Sequence, residues 1–156
     1  MMFWPIYFFI GVLFLTKLHY MITQKLVQNT AYEVMACAIE VHRYLGPGLL
    51  EGIYQACLVQ ELRLQGFYIR ERVEVPVIYK GVQTKDPLRL DILVNEIILI
   101  EVKSVEILLP IHHAQTITYL KLSQKPKALL INFNSENLVK GSKPFVDEVF
   151  SALPRE

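Results

Sequence analysis

Apolar residues recur along this chain first at the period of a helix and then at that of a strand, with the change near Tyr68. Val34, Ala38, Val41 and Leu45 form a helical stripe that Met35 and Ile39 widen. Thr30 and Glu33 have the spacing of a capping box, which predicts a helix opening there or a turn earlier, near Gln24. Gly46-Pro47-Gly48 stops it, since Gly accepts the left-handed cap and Pro cannot continue a helix. A second helix is predicted from about Leu50 to Gln65, with Leu58 and Leu62 inward and Gly66 closing it. Val73, Val75, Val77 and Tyr79 then alternate with polar residues, the mark of a strand with one buried face. Pro76 places that strand at an edge or a bulge, and Lys80-Gly81 turns the chain.

Two strands follow, Leu88 to Val94 and Ile97 to Lys103. The second is continuously apolar until Glu101, as in a central strand covered on both faces. Pro110 opens a third predicted helix to Ser123, in which Ala114, Ile117 and Leu120 are apolar. A last strand is predicted at Ala128 to Phe133, and Asn134 to Pro154 reads as peripheral loop and short helix. Helix, helix, three strands, helix, strand is the order of an α/β domain: a mixed sheet flanked by helices.

Composition changes this picture mainly at the N-terminus. The first twenty residues hold seven aromatics (Phe3, Trp4, Tyr7, Phe8, Phe9, Phe14 and Tyr20) and one formal charge, Lys17. Three readings stand for this leader: a misassigned start with translation beginning at Met21, a short membrane anchor, or a helix packed on the domain. It is shorter than the ~20 apolar residues that span a bilayer and lacks the basic flank of a signal peptide. Residues 21–156 are expected to form the single domain, with equal numbers of basic and acidic side chains. That balance lacks the global footprint of a constitutive nucleic-acid binder, though it leaves room for a local basic groove. Cys37 and Cys57 fall in predicted helices without zinc spacing and read as small buried residues of a reducing, cytoplasmic protein.

The candidate chemistry lies in Leu88 to Lys103. A carboxylate costs several kcal/mol to bury unless paired or coordinated, yet Asp91 and Glu101 both sit in apolar strands. Glu101 and Lys103 share a strand face. Whether Asp91 shares it depends on the turn. A two-residue hairpin at Asn95-Glu96 would set Asp91 opposite Ile100, with Glu101 on the other face. A three-residue loop would pair Val94 with Ile98 and set Asp91 opposite Glu101, about 5 Å apart at Cβ. Only the second arrangement makes a site, and a hard divalent ion would fit between the two acids. Lys103 could then orient or deprotonate an attacking water. Ordinary ion pairs, Asp91 with Arg89 and Glu101 with Lys103, are the competing reading. Glu51, in the first turn of the second helix, suits the macrodipole, and Tyr54 follows one turn on. His112, Gln115 and Tyr119 form a polar stripe on the third helix, either a solvated face or a group reaching toward a metal-bound water or phosphate.

Taken together these residues resemble a known family. Gly48-Leu49-Leu50-Glu51-Gly52-Ile53-Tyr54 is a GxxExxY signature, preceded by Ile39 to Pro47. Arg89-Leu90-Asp91-Ile92-Leu93-Val94, Glu101-Val102-Lys103-Ser104, His112-His113-Ala114-Gln115, Tyr119-Leu120-Lys121 and Leu130 to Asn134 follow in order. The chain is similar, over about Ala31 to Phe145, to GxxExxY proteins of the PD-(D/E)XK nuclease superfamily. The resemblance implies that superfamily's α/β core and the three-residue register. It implies metal ligands at Asp91 and Glu101 for Mg²⁺ or Mn²⁺ and a catalytic lysine at Lys103. Glu51 would be an accessory acid, and Gln115 with Tyr119 the motif on the helix after the lysine strand. The proline often found before the superfamily's Asp is replaced here by Leu90. Two functions are then expected: a metal-dependent nuclease acting on DNA or RNA, or a catalytically silent module that binds nucleic acid or a protein partner. A membrane-attached protein is a third reading, resting wholly on the leader.

Overall fold

The structure, a computed structural model, describes residues 21–156; the apolar leader and its three readings lie outside the described residues. Two helices come first, α1 (Gln24–Leu45) and α2 (Glu51–Leu64). They are followed by β1 (Ile69–Val75), a short hairpin of β2 (Ile78–Tyr79) and β3 (Val82–Gln83), β4 (Leu88–Val94) and β5 (Ile98–Lys103). Helix α3 (Pro110–Ser123), β6 (Lys127–Asn132), β7 (Ser142–Val146) and α4 (Glu148–Ala152) complete the chain. The main sheet runs β1-β4-β5-β6-β7 and is mixed: only the β5–β6 pair is parallel. The fold class read from the sequence is the one observed.

Helix α1 begins at Gln24, the earlier of the two expected starts: the Thr23 hydroxyl accepts the N–H of Leu26 at 3.1 Å, and Thr30 is buried inside the helix. Other local expectations are corrected. On α3 the buried residues are Thr116 and Leu120, while Ala114 and Ile117 face out. The C-terminal region adds an edge strand, β7, which Pro144 and two charged or polar neighbours hide from a strand pattern. Strand β1 lies at an edge as expected, but it stops at Val75 before Pro76, and Tyr79 falls in the separate, exposed β2–β3 hairpin instead of continuing it.

Two apolar layers cover the sheet. Val27, Val34 and Val41 of α1 and Tyr54, Leu58 and Leu62 of α2 pack on Ile98, Ile100, Val102, Leu129 and Ile131. Leu120 of α3 packs on Leu88, Leu90, Leu93, Leu99 and Ala128 from the other side. Alternation along β5 therefore turns Glu101 and Lys103 to the α3 side.

Strand β4 breaks its own alternation at Asp91. Leu88 and Leu90 belong to the α3-side layer, whereas Ile92 and Val94 belong to the α1–α2 layer. The facing strand breaks at the same level, where Arg72 takes a left-handed φ of 51° and the ladder omits the Arg72–Asp91 pair. A left-handed non-glycine residue costs roughly 1–2 kcal/mol. The irregularity sits at the candidate acid, where such strain tends to concentrate.

Candidate metal and catalytic site

The β4–β5 turn decides the site. Asn95 and Glu96 both have positive φ, 50° and 61°, and the turn is closed by Ile97 N–H donating to the Val94 carbonyl at 3.0 Å. This is the tight turn favoured in hairpins. The ladder nevertheless resumes one residue later, with Val94 opposite Ile98, Leu93 opposite Leu99 and Ile92 opposite Ile100. Ile97 is the extra residue, so a tight turn and a three-residue register coexist through one bulge. Glu96 is held in its unusual conformation by Arg70 at 3.1 Å and Lys125 at 3.2 Å. Burial works against its charge, but those two cations hold its carboxyl below the usual range.

That register carries Asp91 to the level of Glu101, but there the two strands have parted. Asp91 Oδ2 instead accepts the N–H of Val102 at 3.1 Å. Glu101 is 2 % exposed; its Oε1 accepts from Lys103 Nζ at 2.7 Å, and its buried Oε2 has no hydrogen-bond partner among the described residues. Burial, and then the nearby Asp91 charge, push the Glu101 carboxyl up to about 7 against the pull of Lys103. Burial also raises Asp91, opposed by the Val102 N–H, by Lys103 and by a hydrogen bond from Gln55. For Lys103 burial acts to lower the pKa, but the bond to Glu101 and the charges of Glu101, Glu51 and Asp91 raise it overall.

Glu51 joins this cluster from the N-terminus of α2. Its carboxyl is raised by burial and by Asp91, and lowered by Lys103, the Ser104 N–H and His112. The loop before α2 is fixed from three directions. Gly48 has φ 103°, a conformation L side chains rarely adopt, and Ser104 Oγ donates to the Leu49 carbonyl at 2.6 Å. The Tyr54 hydroxyl donates to the Gly46 carbonyl at 2.6 Å and accepts the Leu49 N–H at 3.1 Å. The Tyr54 ring is fully buried and stacks on Phe133 at 4.6 Å between centroids, and Phe133 N–H donates to the Lys103 carbonyl at 2.8 Å. In the GxxExxY stretch, then, Gly48 turns the chain, Glu51 faces the cluster and Tyr54 pins one to the other.

The ion-pair alternative holds for only one of the two acids. Arg89 bonds Glu74 at 3.2 Å rather than Asp91. Gln115 and Tyr119 lie on α3, on the side of the sheet to which Glu101 and Lys103 point, and Gln115 Nε2 donates to the Tyr119 hydroxyl at 2.9 Å. Among the described residues no hydrogen bond joins either of them to the acids. His112 Nδ1 accepts the Leu109 N–H at 3.1 Å and so caps its own helix. Gln55 was missed by sequence reasoning. Its position one turn after Glu51 was the available signal, since i and i+4 share a helix face.

Among the described residues no three His, Cys, Asp or Glu side chains form a group that could hold a metal on their own. Two carboxylates with the remaining positions filled by water is, however, the usual habit of Mg²⁺. The unpartnered, buried Glu101 Oε2 and the mutual repulsion of Glu101 and Asp91 fit a small hard cation between them.

Residues 28–144 match the family model of the PD-(D/E)XK nuclease superfamily, and the chain belongs to that superfamily. The crystal structure of SSO0001 is similar with a TM-score of 0.49 and 22% identity, over 80% of this chain and 66% of that one. This chain therefore spans just under two thirds of that protein. A comparison with curated proteins returns no match. Among the described residues no helix is long and apolar enough to cross a membrane.

Proposed function

We propose that the protein is a metal-dependent nuclease hydrolysing phosphodiester bonds in DNA or RNA, of the GxxExxY group within its superfamily. The observation that carries this reading is the imbalance of the cluster. Glu51, Asp91 and Glu101 face one lysine, each acid is raised by burial, and Glu101 Oε2 is buried without a partner among the described residues. Asp91 and Glu101 would hold Mg²⁺ or Mn²⁺, which supplies Lewis-acid polarisation of a phosphoryl oxygen when bound. The chain's own groups do the rest. Lys103, held charged by its three acidic neighbours, sits beside Glu101 and can position the attacking water and stabilise charge on the phosphate. Glu51, with its raised carboxyl, can accept or return a proton at the edge of the cluster. Gln115 and Tyr119 would orient phosphate or water from α3. Arg89 is engaged by Glu74 and is left out of the chemistry.

The test uses the full chain with Mg²⁺ or Mn²⁺ and labelled DNA and RNA, single- and double-stranded. Cleavage should require the metal and be lost in Asp91→Asn, Glu101→Gln and Lys103→Ala. Cleavage that survives all three substitutions would remove these residues from the reaction.

A further inference from the structure

The β2–β3 hairpin is not used by the chemistry above. Among the described residues it pairs with no other strand, and both of its strands are solvent-exposed. Ile78 and Val82 are 64% and 69% exposed, and Tyr79 is 67% exposed. Register sets Tyr79 opposite Val82, so these two share one face of the ribbon. Folding does not account for three large apolar side chains left in water on a ribbon this short, because such a hairpin gains little from them.

Charge and position suggest a partner. Pro76 to Lys85 holds two lysines, Lys80 and Lys85, and no carboxylate. Among the described residues neither lysine has an acidic partner, and Lys80 Nζ lies 5.4 Å from the centre of the Tyr79 ring. The nearest acids in sequence are Asp86, next in the chain, and Glu74, which Arg89 neutralises. The hairpin joins the end of β1 to the start of β4, where Val75 pairs with Leu88. Because β4 and β5 are antiparallel, that is the end of the sheet where Lys103 stands. Asp91 is three residues along β4 from Leu88, a distance of about 10 Å at strand rise. Between the hairpin base and α3 lies a cavity of about 450 Å³ bordered by Val77, Arg89 and Tyr119.

We propose that this hairpin grips single-stranded nucleic acid for the neighbouring site, with Tyr79 stacking on a base and Lys80 and Lys85 on the flanking phosphates. The inference rests on the nuclease reading for its substrate class. An aromatic side chain beside two unpaired lysines is the pattern of sequence-tolerant strand binding, since every base has a face to stack. The formally balanced charge of the domain suits a local grip better than broad attraction to a duplex.

Binding is measured by fluorescence anisotropy with a short single-stranded oligonucleotide, in the Asp91→Asn background so that cleavage does not interfere. Tyr79→Ala should weaken binding about tenfold. Lys80→Ala should lower the slope of log affinity against log salt by roughly 0.7. In the active protein Tyr79→Ala should raise KM with kcat little changed. Binding that depends on Tyr79 in a protein that cleaves nothing keeps the grip and removes the nuclease. Cleavage with affinity unchanged by both hairpin variants keeps the nuclease and removes the grip. Duplex bound as tightly as single strand with no effect of Tyr79→Ala, or a hairpin variant that changes only the oligomeric state, also overturns it.

Discussion

Asp91 reaches across from β4 and takes, at 3.1 Å, the backbone N–H of Val102 on β5. The ladder between these strands ends at Ile92 and Ile100, so the carboxylate accepts a bond where ladder pairing has stopped. One side chain therefore both bridges the seam between β4 and β5 and presents an acid beside Glu101.

This double role separates two substitutions. Asp91→Ala strands the Val102 N–H and should cost about 1–3 kcal/mol of stability as well as activity. Asp91→Asn keeps an oxygen acceptor and should abolish metal-dependent cleavage with most of the stability retained. Urea unfolding alongside a cleavage assay tests both.

Glu101 and Lys103 should show strong coupling in chelator. Lys103→Ala leaves a buried acid uncompensated and should destabilise by about 3 kcal/mol. Glu101→Gln should leave stability unchanged or higher, because the charge that burial penalises is gone. In the double variant most of the Lys103→Ala loss should return. Equal losses in both single variants would contradict the buried-charge account.

Tyr54 is placed as a pin, not a catalyst. Tyr54→Phe keeps the stack on Phe133 but leaves the Gly46 carbonyl and Leu49 N–H without their partner. A loss of about 1–3 kcal/mol is expected. Cleavage should fall through misplacement of Glu51, with faster amide exchange at Leu49.

Cys37 gives the pH dependence. Burial, and then the charge of Glu61, push its thiol from an ordinary 9.0 up to about 11. Between those values the folded protein holds a proton that the unfolded chain has released. The contribution is therefore full below pH 9 and lost as pH rises toward 11. Wild type should lose more of its urea midpoint than Cys37→Ala between pH 8 and pH 10.5.

The sequence by itself carried the order of the first three helices and the central strands, though not β7 or the β2–β3 hairpin, and the covered central strand ending in Glu101 and Lys103. Each rests on a period or a stop signal contained in a dozen residues. Asp91, Glu101, Lys103 and Glu51 were named there as the acids and lysine worth bringing together. What only the tertiary structure decided is how they meet. The hairpin rule and the family resemblance pointed to different registers, and one bulged residue, Ile97, reconciles them. Glu96 is secured for that turn by Arg70 and by Lys125, which lies 29 residues away in the loop after α3. The slip of β4 at Asp91 needs Arg72 of the neighbouring strand, and the seat of Tyr54 needs Phe133 from beyond β6. A local pattern records which side of an element is apolar. It does not record a bond closed across the sheet, and those bonds aim the carboxylates.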